Sequence, residues 1–318
     1  MKLPFEKWHG CKNDFIIFRT NQNEAKYLVP SLQRQAPTLC SRKGDGIGAD
    51  GILVLISESS SPDEFKKLTI INQDGSIAKN CGNGLRCAFG SLYRSFHLTN
   101  QPDDRRPECL DLEVEGRTFT GQPLKLSFSK NQCYIGVSMP EARLNDHNPW
   151  HDTAKLNVNK LLNQPRHASF QCEQWHSYDI GNPHIVLFTD LAQNLEQIDQ
   201  LGPDFQTCEG WDGINLHIAH PETIPVDQIR DYERILGGNI SENFRVRVWE
   251  RGVGETSACG SGACAVAASV LDSGLLDRDD WVMISMPGGP LFVRQRDQDD
   301  PVFLAGPAQF CFEGAIDC

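Results

Sequence analysis

Two stretches of this chain, 178 positions apart, follow one plan, and that internal duplication constrains the fold more than any other feature. The first is INQDGSIAKNCGNGLRCAFGSLY, Ile71 to Tyr93, and the second is WERGVGETSACGSGACAVAASVL, Trp249 to Leu271. Cys81 aligns with Cys259 without a gap through the run-up or the glycine turn, so Asn72 matches Glu250, Gly82 matches Gly260 and Gly84 matches Gly262. Ahead of each stand KLTII and FRVRVW, whose β-branched and alternating apolar residues predict strands. After each cysteine the period changes. Leu85, Ala88, Phe89, Leu92, Tyr93 and Phe96 fall on one helical face, and Ala263, Val266, Ala267, Val270 and Leu271 repeat that register, with Ser273-Gly274 as a stop. Each half therefore reads as strand, loop, Cys-Gly-x-Gly and buried helix.

A chain of 318 residues is long enough for two such domains. The remainder is β-rich: GILVLIS at 51–57, CLDLEVEGRTFTG at 109–121, LKLSFS, CYIGVSM, HIVLFTD, WVMISM and PVFLAG. Two polar segments, TNQPDDRRPE near 99–108 and the stretch at 221–243, read as loops or surface insertions.

The acidic residues outnumber the basic by 42 to 30, and a net charge of −12 argues against nucleic acid or an anionic membrane as a partner. No run approaches the roughly 18 apolar residues of a membrane span, and the opening MKLPFEKWHG lacks an apolar signal region, so a cytoplasmic protein acting on a small molecule is expected. Twelve cysteines would permit a disulfide framework only in a secreted chain. Cys81 and Cys87, or Cys259 and Cys264, do not have the C-x₂-C spacing of a zinc knuckle, so no metal is expected. The isolated Cys40, Cys109, Cys133, Cys172, Cys208, Cys311 and Cys318 read as small buried apolar residues.

A cysteine directly before a glycine-rich helix start lies where unpaired N–H groups and the helix dipole favour negative charge, so its thiol should ionise more easily. Glycines at 82, 84, 260 and 262 let the backbone close on an anion such as a carboxylate. If two such turns face one substrate, a thiolate can remove an α-proton while the opposite thiol protonates the other face. That design would replace the electron sink of a pyridoxal cofactor, and no cofactor is expected. Simple strand-to-helix turns remain an alternative. A phosphate cradle is another, although no Lys-Ser/Thr follows the glycines, and so is a hydrolase with one nucleophilic cysteine and a histidine, for which only His184 has a suggestive context.

These residues, with HGCKNDF at 9–15, GIGADG at 46–51, NQDGS and CGNGLRC at 72–87, GNPH at 181–184 and WERGVGETSACGSGAC at 249–264, give a chain that resembles the diaminopimelate epimerase family nearly end to end. The resemblance implies an α+β fold of two similar, pseudo-twofold-related domains. Each would be a mostly antiparallel sheet rolled around a central helix, with the active site in the cleft between them. The domains would be 1–130 plus a returning 304–318, carrying Cys81, and 131–303, carrying Cys259. It implies cofactor-independent interconversion of LL- and meso-diaminopimelate in lysine and peptidoglycan synthesis, by a homodimer. Cys81 and Cys259 would be the acid and base, with Gly82-Asn83 and Gly260-Ser261 offering amides to the α-carboxylate and Asn13 at the reacting end. Asn72, Asn182, Asn215 and Arg251 would hold the distal carboxylate, Glu250 the distal ammonium, and His184 would pack or orient nearby. Lys12 departs from the family pattern, which usually has a small residue there, often glycine. A racemase of another amino acid such as histidine, or a non-catalytic protein of the same fold, are the alternatives.

Overall fold

The computed structural model describes residues 2–58, 64–98, 107–127, 131–139, 143–144, 149–208, 213–272, 274, 276–297 and 300–317. The chain forms two compact units, Met1–Ser138 with Ala305–Cys318, and Met139–Leu304.

In the first unit, strands β1 (Lys2–Gly10) and β2 (Asn13–Asn21) form a hairpin, and helix α1 (Gln22–Leu39) returns the chain to β3 (Gly51–Ser57), which pairs parallel to β2. β4 (Phe65–Asn72) runs antiparallel to β3 and turns into the short β5 (Ile77–Ala78), which leads to Cys81 and helix α2 (Gly82–Leu98). β6 (Leu110–Val114), β7 (Arg117–Ser127) and β8 (Gln132–Met139) complete an antiparallel meander. Because β8 pairs with β7 over most of its length, it packs with the first unit. α2 carries Leu85, Ala88, Phe89, Leu92, Tyr93 and Phe96, as the periodicity predicts. It is buried on nearly every side, against β1, β2, β3 and β7, which makes it an enclosed helix and not a surface one.

α1 lies on the other face of β2, β3 and β4, where Leu32 and Ala36 pack with Phe5, Phe18, Ile52 and Ile71. Asn21 caps it by accepting the N–H groups of Asn23 and Glu24 at 3.0 Å each.

The second unit repeats the plan. β9 (Arg143–Leu144) and helix α3 (Pro149–Leu162) precede β10 (Gln174–Asp179) and β11 (Pro183–Phe188). Helix α4 (Ile198–Gln206) leads to β12 (Asn215–Pro221), which pairs parallel to β11. The polar stretch expected as a loop or insertion holds a helix, α5 (Val226–Leu236), ended by the left-handed Gly237 and set on the surface with only Leu236 buried. β13 (Ile240–Glu250) and β14 (Gly254–Thr256) bring the chain to Cys259 and helix α6 (Gly260–Leu271). β15 (Trp281–Met286) and β16 (Gly289–Arg294) follow, with β15 parallel to β13. α6 is enclosed by β10, β11, β12, β15 and β16, and its small residues (Gly262, Ala263, Ala265, Ala267, Ala268) permit that close approach. The last strand, β17 (Val302–Asp317), pairs with β1 from Lys2↔Asp317 to His9↔Gln309 and returns the chain to the first unit.

The isolated cysteines correct one expectation. Cys40 and Cys133 are buried, but Cys109 and Cys311 are exposed and Cys172 and Cys208 only half-buried. Cys311 falls between Phe310 and Phe312, which pair with Trp8 and Lys7 across a register shift, and it begins the exposed end of β17, so its place in the strand and not its residue type sets its exposure. Cys318 and most of 99–108 lie outside the described residues. Among the described residues no helix is long and apolar enough to cross a membrane, and no cluster of His, Cys, Asp and Glu is arranged to hold a metal ion.

Candidate functional site

Each cysteine ends an extended segment and stands immediately before an enclosed helix. Cys81 Sγ accepts the backbone N–H of Gly84 at 3.4 Å, and Cys259 Sγ accepts that of Gly262 at 3.3 Å. The third helical residue is glycine in both, so the two duplicated turns are alike in their backbone hydrogen bonds as well as their sequence. Each sulfur thus serves as the helix cap, taking one of the donors that a first turn leaves unpaired.

Around Cys81 the structure gathers Asn13 and Asn83. Asn13 Oδ1 stands 4.0 Å from Cys81 Sγ and accepts from Asn83 Nδ2 at 3.2 Å, while its own Nδ2 donates to Asp50 Oδ2 at 2.7 Å. Asp50 belongs to a charged cluster with Arg42, Asp14 and Lys7: Arg42 reaches Asp50 at 2.7 Å and Asp14 at 2.6 Å, and Lys7 reaches Asp14 at 2.8 Å. Burial pushes the Asp14 carboxyl up, but hydrogen bonds and charge from Arg42 and Lys7 outweigh it and hold the group at about 2. Asn13 is thereby fixed from behind by Asp50, which Arg42 holds in turn. Lys12, beside it, has φ +65°, and Cys11 has φ +53°, left-handed values in a two-residue hairpin turn that usually takes Asn-Gly. Asn72 is not brought to this group by a hydrogen bond. It is exposed in the turn from β4 to β5, where its amide donates to Ser76 Oγ at 2.9 Å.

Around Cys259 the partners differ. Its N–H points to Met286 Sδ at 3.3 Å, and its sulfur lies 3.5 Å from the Ser261 hydroxyl. Glu250 lies near enough for its charge to act on Cys259, and it accepts from Thr256 Oγ1 at 2.5 Å. The reason is local: the chain reverses through Gly252 and Gly254, both left-handed, so that Glu250 pairs with Gly254 and faces the segment that returns to Cys259. The easier ionisation expected of a helix-terminal thiol fails here. Burial pushes the Cys259 thiol well above its ordinary value and the Glu250 charge adds to that rise, while the Ser261 and Gly262 hydrogen bonds only oppose it.

The other expected residues of this unit fall into two chains. Asn215 is buried, its Oδ1 accepting the Arg251 N–H at 3.0 Å and its Nδ2 donating to the Pro183 carbonyl at 3.1 Å. It therefore ties the Glu250-Arg251 turn to the GNPH loop, and the exposed Arg251 side chain sits over Gly213, where any Cβ would meet its Cγ and Cδ at 2.6 Å. Asn182 Oδ1 stands 3.0 Å from His184 Nε2, and His184 Nδ1 stands 2.8 Å from His217 Nε2. Both rings are fully buried and stacked, with centroids 5.1 Å apart. Burial lowers the basicity of both, His184 far below its usual value and His217 to about 3, so the pair is neutral. His217 was not anticipated: it lies mid-strand in an apolar segment, and only the parallel pairing of β11 with β12 brings it to His184.

The family model for diaminopimelate epimerase matches residues 5–102 and 177–311. The chain belongs to the diaminopimelate epimerase family. Relatives named diaminopimelate epimerase include those of Prochlorococcus marinus (32% identical, covering all of both chains) and Nitrosomonas europaea (32%, covering all of both). Another, from Nostoc punctiforme, is 29% identical over 99% of this chain and all of its own. Among solved structures, a phenazine biosynthesis protein of the PhzF family from Bacillus anthracis covers the whole chain at TM-score 0.62 and 12% identity. A hydroxyproline epimerase from Agrobacterium vitis covers 99% of this chain and 91% of its own at TM-score 0.60 and 10% identity. At those identities the two structures show a shared α+β fold alone; the isomerase activity of the family is carried by the relatives named diaminopimelate epimerase.

Proposed function

We propose that this member of the diaminopimelate epimerase family converts LL-diaminopimelate to meso-diaminopimelate without a pyridoxal cofactor, in the cytoplasmic route to lysine and peptidoglycan precursors. The observation that carries the reading is the pair of thiols, each capped on the third amide of a buried Gly-x-Gly helix. One thiolate takes the α-proton as its C–H bond breaks, and the other thiol gives its proton to the opposite face, leaving the charge on the second sulfur. The amides of Gly82-Asn83 and Gly260-Ser261 hold the α-carboxylate, whose negative charge grows as the carbanion forms. Asn13 orients the reacting end. With Glu250 beside Cys259, it is Arg251 that meets the distal carboxylate, with Asn182 and Asn72 adding hydrogen bonds and Asn215 positioning Arg251 through its backbone. His184 fixes Asn182.

Exchange of the α-proton in D₂O tests this. Diaminopimelate should exchange faster than glutamate, histidine, lysine or hydroxyproline, and Arg251→Ala should lower its exchange, since losing one partner of a charge pair that the bound substrate covers typically costs about 2–5 kcal/mol. Cys81→Ala and Cys259→Ala should each reduce epimerisation by roughly 10²- to 10⁴-fold in a folded chain. Faster exchange with histidine would move the substrate assignment to another amino acid, and near wild-type turnover by either cysteine variant would end the two-thiol mechanism. A homodimer completes the reading, and sedimentation across a dilution series measures it.

A further inference from the structure

The Cys81 turn contains a cation with no role in the reading above. Arg86 lies one turn into α2 and is fully buried. Its guanidinium folds back on the start of its own helix: Nη1 donates to the Gly82 carbonyl at 3.3 Å, and Nη2 donates to Asn83 Oδ1 at 2.6 Å and points to Cys11 Sγ at 3.8 Å. The β1–β2 turn closes over it, since a methyl group added at Gly10 would stand 3.4 Å from Nη2. Nε is buried with no hydrogen-bond partner. The ion pairs of this unit join Lys7, Arg19, Arg42, Lys67 and Arg94 to carboxylates, and among the described residues none includes Arg86.

A guanidinium held out of water without a counterion is costly unless the working state places an anion beside it. Among the described residues, the ionisable groups on which Arg86 acts are thiols. Burial pushes Cys11 up and Cys87 well above its ordinary value, both against the pull of Arg86, and Cys133 behind Cys87 up to about 12. Those three stay protonated. Cys81 is the remaining thiol, half-buried, capped by the Gly84 amide and joined to Arg86 through Asn13 and Asn83. The Cys259 turn has the opposite polarity, because its charged neighbour is the Glu250 carboxylate.

We propose that Arg86 is a positioning residue whose buried charge makes Cys81 the thiol that rests ionised, while Cys259, beside Glu250, rests protonated. This rests on the two-thiol reading and adds its direction. In the resting enzyme the first α-proton passes to Cys81 sulfur as the C–H bond breaks, and the Cys259 S–H bond breaks as the new C–H bond forms on the other face. Arg86 acts through its charge, which works with the Gly84 amide and against the Asn13 Oδ1 acceptor that faces the Cys81 sulfur, and it touches neither substrate nor the reacting atoms.

The test is the pH dependence of iodoacetamide alkylation of the full chain without substrate, with the Cys81 and Cys259 peptides quantified separately by mass spectrometry. In the wild type the Cys81 midpoint should lie below that of Cys259. Arg86→Met and Arg86→Gln should raise the Cys81 midpoint by about one unit or more, so that alkylation below the midpoint slows roughly tenfold, and leave the Cys259 midpoint in place. Arg86→Lys, which keeps the charge and loses the fork onto Asn83, should stay nearer to the wild type. If the methionine variant does not fold, the glutamine variant provides the neutral comparison. An unmoved Cys81 midpoint in a folded neutral variant, an equal shift at both cysteines, or a lower midpoint at Cys259 in the wild type would overturn the proposal. Because no substrate is present, such a result is separate from failure of the epimerase reading, which the D₂O exchange reports.

Discussion

Gly84 and Gly262 occupy equivalent places in the two turns, yet alanine should have very different effects there. A Cβ at Gly262 would meet Nδ1 and Nε2 of His217 at 2.8 Å, and Cε1 closer still. The ring has nowhere to go without breaking its 2.8 Å contact to His184, because it is fully buried and stacked on that residue. Overpacking of this kind costs about 1–3 kcal/mol, and leaving a buried imidazole unpaired costs about 1–3 kcal/mol more. Replacing glycine by alanine inside a helix returns about 1 kcal/mol, so Gly262→Ala should lose about 3 kcal/mol. At Gly84 the nearest atoms are Leu53 Cδ2 at 3.2 Å and Cys81 Cβ and Sγ at 3.5 Å, and a flexible leucine methyl can yield a few tenths of an ångström. The helix gain then offsets the strain, and Gly84→Ala should stay within about 1 kcal/mol of the wild type. Urea unfolding with comparison of midpoints at unchanged slope reads both values. In the double variant Gly262→Ala with His217→Ala the added methyl has room, so the two losses should fall short of their sum by at least about 1 kcal/mol. A Gly262→Ala chain as stable as Gly84→Ala, or strict additivity in the double variant, would refute the contact.

Three further outcomes follow from the same geometry. His217 has its folded value lowered to about 3 against about 6.5 when unfolded, so the unfolded chain binds the extra proton between those limits. The His217 contribution to stability should therefore be complete above pH 6.5 and fall by about 1.4 kcal/mol per unit below it, with the equally buried His184 adding to the slope, and His217→Asn, followed by urea midpoints from pH 7 to 5, should remove about that much of it. Lys12→Gly relieves a left-handed residue worth about 1–2 kcal/mol, less about 0.4–1 kcal/mol of unfolded-state entropy, so melting should show a small gain, and a loss would mean that the side chain contributes more than the strain. Epimerisation should be bell-shaped in pH because one thiol must be charged while the other keeps its proton, and a rate that climbs without an alkaline limb would exclude the retained thiol acid.

The features legible in the sequence were those written in local period and spacing. The gapless match of Cys81 with Cys259 and the 3.6-residue apolar pattern after each were enough to place α2 and α6, because an enclosed helix has to show that pattern. α1 carried a contrary signal: Pro30 and Pro37 lie inside it, and a helix interior normally excludes proline. Its buried face is Ala25, Leu32 and Ala36, a sparse stripe that gives weak periodicity. α5 was hidden because its outer face is polar and Gly237-Gly238 ends it abruptly. The site residues that escaped, His217 and Arg86, are polar groups in apolar company. Nothing in LHIAH or GLRC marks whether a side chain points outward or inward; that depends on which strand lies alongside, a long-range fact. The surroundings of Glu250 are hidden for a related reason: strand-end spacing says that Glu250 and Arg251 are adjacent, not that the glycine turn brings the first near Cys259.

The contrast between the two turns also limits how unequal the thiols can be. The duplicated backbone provides the same cap to both sulfurs, at 3.4 and 3.3 Å, so their difference arises from side chains: Arg86 behind one, Glu250 beside the other. After one turnover in the proposed direction the charge sits on Cys259, the less favourable place, and every unit of difference between the two thiols adds about 1.4 kcal/mol to that state. A difference of several units would trap the enzyme in its resting form and stall a reaction between stereoisomers of nearly equal energy. The Ser261 hydroxyl, 3.5 Å from Cys259, counters that imbalance, since a hydrogen bond to the ionised sulfur favours it in the same sense as the Gly262 amide. No such hydroxyl exists at the matching position of the other turn, where Asn83 stands and answers to Arg86. The two turns thus differ where balance requires it, with a cation to lower the first thiol and an extra donor to keep the second within reach.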